Sequence, residues 1–379
     1  MNGKKILCFI CFITAAVLWP IQAMADAEPK ISAKAAVVIN ADDGKAIYSK
    51  NEHERLAIAS TTKIMTSLLT LEAASVNNKT ITITPEMIRV EGSSMGLRAG
   101  DQLTLRDLAV GMLMVSGNDA ANSAAIAIGG STDKFAGMMN AKAAALGMKD
   151  THFVTPSGLD DENHYSTAYD MAILASTAMQ NSDFAKIACQ KSMQVHYANP
   201  DATHNFGNHN RLLQLYQYCN GIKTGFTKKA GRCLVSSAEK DGVHLITVTL
   251  NDPDDWKDHE ALFNYGFSKL TCHKIDDSAY RVSIAAVGGD QNSVQVSGTS
   301  ADSVVTECDQ CLVRTVELPR FVYAPIEVGQ VLGCVRYTCG GKTVAKTELV
   351  ASQNIPRTII QKNWFQNLWD GIRNLFSFH

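Results

Sequence analysis

The hydrophobic rhythm of the chain changes near Leu270, and no single layer architecture accommodates both halves. Before that point, apolar residues recur at helical spacing in some stretches and alternate in others. Beyond it come short alternating runs, at Arg281 to Ala286, Ser293 to Val296, Leu312 to Leu318 and Thr343 to Val350, separated by Gly, Asp and Asn turns. The pattern predicts an α/β domain followed by a small all-β, sandwich-like domain. With 379 residues, 46% of them apolar, both parts can bury a core, which excludes a disordered chain. The formal charge of −2 and the lack of a basic block exclude a nucleic-acid binder.

Both ends carry segments of a different kind. Lys4 and Lys5 precede an apolar run from Ile6 to Ile21, broken only by Thr14 and Pro20, and Ala23-Met24-Ala25 then offers a small-residue cleavage site before Asp26. Residues 1–25 read as a secretory signal, with a retained membrane anchor as the alternative. At the other end, residues 353–379 place Trp364, Phe365, Leu368, Trp369, Ile372, Leu375 and Phe376 on one helical face. Its two tryptophans suit an amphipathic helix lying in a membrane surface; a helix packed on its own domain, or a dimerisation helix, is the structural alternative. The expected division is therefore 1–25 signal, 26–270 first domain, 271–352 β domain and 353–379 C-terminal helix.

Within the first domain, Ala35 to Ser49 reads as strand, Asp-Gly turn and strand. The apolar spacing from Ala59 to Ala74 predicts a core helix starting near Ser60. Thr84-Pro85-Glu86 predicts a short helix, and Thr104-x-x-Asp107 and Thr167-x-x-Asp170 predict helix N-termini. The Asn, Asp and His residues of 199–210 read as a loop. Strands are expected at Gly221 to Phe226, Arg232 to Ala238 and Val243 to Leu250.

Eight cysteines remain beyond residue 25, an even number in an exported chain. Disulfides are one reading; a four-thiolate zinc site at Cys308, Cys311, Cys334 and Cys339 is another; free buried thiols are a third, above all at Cys189 and Cys233. His196, His204 and His209 lack the helical spacing and acidic partner that a metal site needs, so neither metal nor cofactor is expected.

Chemistry concentrates in three short patterns. Ser60-x-x-Lys63 opens the apolar helix, where backbone N–H groups can face an oxyanion and Lys63 lies on the same face as Ser60. Ser131-x-x-Lys134 and Ser237-x-x-Lys240 also fit the pattern but lack that context. Ser116-Gly-Asn118 interrupts a helical stretch, and Lys223-Thr224-Gly225 sits in a strand. Their order, with 56 and then 107 residues between first positions, matches the motif set of penicillin-recognising serine enzymes.

On these residues, and on Gly92 to Met95, His152-Phe153, Pro156-x-Gly158-Leu159 and Gly221 to Thr227, the sequence resembles the low-molecular-weight penicillin-binding proteins, the peptidase S11 D-alanyl-D-alanine carboxypeptidases. The resemblance covers roughly residues 30–270. It implies a mainly antiparallel sheet of the serine β-lactamase/transpeptidase kind, peptidoglycan stem peptides as substrate, and β-lactams as acylating inhibitors. By that resemblance Ser60 is the nucleophile, Lys63 its base and Ser116 the proton relay. Asn118, Lys223, Thr224, Gly225 and Phe226 bind substrate, with the oxyanion held by the N–H groups of Ser60 and Phe226. Asn220 departs from the Asp that many relatives carry, which puts the start of the strand in question. The rival readings are a serine β-lactamase, for which no E-x-x-L-N is present, and a catalytically quiet wall-binding scaffold, against which the intact Ser60, Lys63, Ser116 and Lys223 argue.

Overall fold

The computed structural model describes residues 28–307 and 311–358, and beyond them 364, 368, 369, 372 and 373. Residues 1–25, Cys308 and most of the segment expected as a C-terminal helix lie outside the described residues. The chain divides into two compact units between Leu270 and Thr271.

The first unit runs β1 (Ala35–Asn40), β2 (Ala46–Lys50), α1 (Lys63–Val76), β3 (Thr80–Thr82), β4 (Gln102–Thr104), α2 (Leu105–Met114), α3 (Asn118–Gly129), α4 (Thr132–Ala145), α5 (Ala168–Gln180), α6 (Ser182–Ala188), β5 (Ser192–Tyr197), β6 (Ala202–Gly207), α7 (Leu212–Leu215), β7 (Cys219–Thr227), β8 (Gly231–Lys240), β9 (Val243–Leu250) and α8 (Asp255–Lys269). Its main sheet has the order β2-β1-β9-β8-β7 and is antiparallel throughout. Strand alternation divides the apolar load between two faces. Val37, Ile39, Ile246 and Val248 join the core built with α1 to α5, whereas Val38 and Leu245 meet Gly266 of α8.

The capping signals work as read: Thr104 and Asp107 form a reciprocal capping box on α2, and Thr167 accepts from the Asp170 N–H on α5. Two expectations need correction. Residues 85–88 form only a turn, in a segment whose start is already tied to its return by the Ile83 bonds to Gly100 and Asp101. Within 199–210, β6 pairs with β5 in register from Ser192 with Gly207 to Tyr197 with Ala202; its mostly polar, exposed side chains concealed a strand whose order comes from its partner.

The second unit contains β10 (Leu270–His273), β11 (Arg281–Val287), β12 (Ser293–Gly298), β13 (Val304–Glu307), β14 (Val313–Glu317), β15 (Phe321–Tyr323), β16 (Val331–Cys339) and β17 (Lys342–Ala351). Six strands form one sheet in the order β14-β16-β17-β12-β11-β15, and β10 pairs with β13. Val294, Val296, Val335, Leu349 and Ile355 are the centre of its separate core. No helix among the described residues is long and apolar enough to cross a membrane.

Candidate active site

Ser60 does not sit inside the helix proper. Residues Ala59–Thr62 form a single 3-10 turn that leads into α1, with Ala59 held at φ +48°. Ser116, between α2 and α3, is likewise in the left-handed region at φ +59°. Such a conformation costs a non-glycine residue about 1–3 kcal/mol and persists only where the surroundings enforce it. Here Ser116 lines one cleft, and Ala59 immediately precedes Ser60, which lines the same cleft.

The enforcement is visible at two glycines. A Cβ on Gly225 of β7 would lie 3.0 Å from the backbone nitrogens of both Ser60 and Thr61, so only glycine lets the strand run this close to the turn. Gly158, at φ +83°, abuts the other side, where a Cβ would collide with the Ala59 carbonyl. The Ser60 turn is thus gripped between β7 and the loop that carries Gly158.

Lys63 Nζ donates to Ser60 Oγ at 2.9 Å and to the Ser157 carbonyl at 2.7 Å. The side chain is wholly buried. Burial, and then the nearby ammonium of Lys223, hold its pKa well below the ordinary lysine range, against a smaller opposing effect of Asp119. Lys223 is also buried and donates to the Thr224 carbonyl at 2.9 Å; burial brings its pKa down to about 7.

A cavity of about 310 Å³ opens over these groups, lined by Ser60, Ser93, Ser116, His209, Thr224, Gly225, Phe226, Arg232, Asp255 and Trp256. Of the eight residues singled out from the sequence, Ser60, Ser116, Thr224, Gly225 and Phe226 line it, while Lys63, Asn118 and Lys223 lie buried behind the wall. Asn118 is fixed through Nδ2, which donates to the Glu91 carbonyl at 2.6 Å, leaving its buried Oδ1 without a protein partner. That oxygen can accept an N–H from a bound molecule.

Three supporting residues escaped the sequence reading. Asp119 accepts from Ser94 Oγ and from the backbone N–H groups of Met95, Gly96, Leu97 and Ala120, pinning the loop that supplies Ser93 to the cavity. His164 Nδ1 accepts from the Val154 and Thr155 N–H groups, so Nε2 carries the proton toward Thr62 Oγ1 at 2.8 Å, and Thr62 in turn donates to the Ala59 carbonyl. Burial lowers the His164 pKa to about 4. Arg232, opposite Phe226 in the β7–β8 pairing, places its guanidinium over Trp256 and makes two bonds to Asp255, at 2.8 and 3.0 Å. Only the adjacency of Asp119 to the Ser116-Gly-Asn118 pattern gave any sequence signal.

Several other expectations resolve here. Asn220 coincides with a register shift between Cys219 and Gly221 and has a buried, unpartnered Oδ1. Cys219 donates to the Gly221 carbonyl, and burial raises its pKa to about 11, which leaves it a thiol. Cys233 is a buried free thiol, but Cys189 is exposed, because it caps the surface end of α6 and bonds the Lys186 carbonyl rather than packing inward. Among the described residues no three His, Cys, Asp or Glu side chains converge as a metal site; Cys308, one of the four thiolates considered for zinc, lies outside them.

Fold and site together define a class, the penicillin-recognising serine enzymes. Residues 22–254 match the peptidase S11 model, described as D-alanyl-D-alanine carboxypeptidase, and residues 267–357 match the penicillin-binding protein 5 C-terminal domain. The chain belongs to the peptidase S11 D-alanyl-D-alanine carboxypeptidase family. It is 32% identical over 337 residues to the D-alanyl-D-alanine carboxypeptidase DacF of Bacillus subtilis, covering 86% of each chain. It is 31% identical over 373 residues to DacC of Escherichia coli, covering 93% of this chain and 90% of that one. Among solved structures, the carboxypeptidase DacD from Francisella tularensis aligns with a TM-score of 0.63 at 29% identity, over 88% of this chain and 95% of that one. The Streptomyces K15 DD-transpeptidase aligns with a TM-score of 0.61 at 31% identity, over 64% and 99%.

Proposed function

We propose that this protein removes the terminal D-alanine from peptidoglycan stem peptides through an acyl-enzyme on Ser60. The observation that carries the reading is the 2.9 Å contact between Ser60 Oγ and a fully buried Lys63 whose pKa is driven down by burial and by Lys223. Lowering the lysine's pKa raises the share of neutral amine, and only the neutral amine is a base. Ser60 Oγ attacks the carbonyl carbon of the penultimate D-Ala as its proton passes to Lys63 Nζ. The tetrahedral oxyanion is held by the N–H groups of Ser60 and Phe226. The C–N bond then breaks as a proton reaches the amine through Ser116, and free D-alanine leaves. Water, deprotonated by Lys63, cleaves the ester and restores Ser60.

Asn118 Oδ1 accepts the substrate amide N–H, Thr224 and the Lys223 charge hold the terminal carboxylate, and Gly225 with Phe226 forms the strand edge along which the peptide lies. A β-lactam presents the same amide and carboxylate and acylates Ser60. The domain limits proposed are 1–25 signal, 26–270 catalytic, 271–352 β domain and 353–379 membrane-associating helix, with the enzyme on the outer face of the cytoplasmic membrane. Supporting the last point, Trp364, Leu368 and Ile372 fall four residues apart, are helical and, with Trp369, are exposed.

The decisive measurement is D-alanine release from a soluble peptide ending in D-Ala-D-Ala, with the chain from Asp26 onward beside its Ser60→Ala form. Release that disappears in Ser60→Ala is expected; release that persists sinks the acyl-enzyme assignment.

A further inference from the structure

The second unit carries an apolar strip that its core does not use. β11 and β15 pair in parallel, Ala285 with Phe321 and Val287 with Tyr323, and β15 is the outermost strand. Alternation sends Ala286 and Val322 toward the core and leaves the other four on the opposite face. Val287 is 44% exposed, Phe321 48% and Tyr323 70%, and the two rings touch edge to face at 5.4 Å between centroids. The edge strand itself is blunted, three residues long between Pro319-Arg320 and Pro325, yet its outward face presents a pair of aromatic rings.

The path of the chain indicates what the strip meets. Arg357 bridges Gly289, and the Thr358 N–H donates to the Gly288 carbonyl at 2.8 Å, within two residues of Val287. The segment bearing Trp364, Leu368, Trp369 and Ile372 therefore departs from the end of the strip. Along the strip, exposed Arg320 and Arg357 are matched by exposed Asp290 and Glu327, so the surface offers apolar and aromatic contact rather than net charge. Three side chains are too few for a stable dimer, which buries about 1,200 Å² or more, but aromatic rings beside an amphipathic helix suit the boundary of a bilayer.

We propose that Val287, Phe321 and Tyr323 form a second lipid contact, so that the β unit itself touches the membrane beside the C-terminal segment. The inference rests on the membrane reading of that segment, and the test separates the two. The chain from Asp26 onward is sedimented with vesicles of phosphatidylethanolamine and phosphatidylglycerol, alongside Phe321→Ser/Tyr323→Ser and Trp364→Ser/Trp369→Ser forms. Each pair of changes is expected to weaken binding, the first by about ten-fold, corresponding to roughly one aromatic side chain withdrawn from the interface. The loss from the first pair should be insensitive to salt, with release of D-alanine from soluble peptide unchanged. Full binding by Phe321→Ser/Tyr323→Ser with loss in Trp364→Ser/Trp369→Ser overturns the proposal and leaves the helix reading standing. No binding by the unaltered chain overturns both. A dimer in lipid-free solution that Phe321→Ser/Tyr323→Ser dissolves assigns the strip to a second copy and overturns the lipid contact.

Discussion

At the Ser60 turn, reactivity depends on what single atoms leave room for. Gly225→Ala places a methyl against the backbone nitrogens of Ser60 and Thr61, pushing β7 and the nucleophile apart. A displacement of about 1 Å costs on the order of 100-fold in rate, so stopped-flow acylation by a fluorescent penicillin should slow by about 10–100-fold. An unchanged rate would show that the turn yields freely. Lys63→Arg tests the base from the other direction. A guanidinium keeps the positive charge and does not deprotonate, so penicillin labelling should fall by roughly 1,000-fold or more, in the range of losing a general base; retained labelling would show that Lys63 acts only by charge. Ser60, Lys63, Ser116 and Lys223 were legible in the sequence through the order of three short patterns and the family resemblance they carry; helix spacing spoke only for Lys63 beside Ser60. His164 and Asp119 act on residues far along the chain, and no local pattern reports such contacts.

At the level of elements, the Ser93 loop has no regular structure of its own and is ordered by one carboxylate at the start of α3. Asp119→Asn keeps the shape but removes the charge that four backbone N–H groups and a hydroxyl share. Urea unfolding should show a loss of about 2–4 kcal/mol, with weaker penicillin binding. If stability falls and binding does not, the loop shapes the wall without touching ligand. The helices and main strands were readable from apolar period and capping residues. The β5–β6 hairpin was not, since β6 is mostly polar and exposed and the hairpin reaches the core only through Met193, Val195, Tyr197 and Phe206, and the 85–88 turn shows that an N-terminal proline signal does not ensure a helix behind it.

For the molecule as a whole, buried histidines set an acid limit. His164 and His259 have native pKa values brought down by burial to about 4 and about 3, from an ordinary 6.5. The unfolded chain binds more protons than the native one across that window, so stability is complete above about pH 6.5 and is lost as pH falls toward 4. Calorimetry from pH 7 to 4 should show the decline, and His164→Gln should make it shallower; an equal slope would place the titrating groups elsewhere.

The main sheet also dictates when the enzyme can come into being. β1 is an inner strand, and Ala35 pairs with Leu250 near the far end of the first unit. The opening strand, and the Ser60 turn that follows it, cannot settle until some two hundred further residues have arrived. High contact order of this kind makes folding slow. A chain ending at Gly242 would carry every catalytic side chain but lack β9, the strand that joins β1 to β8.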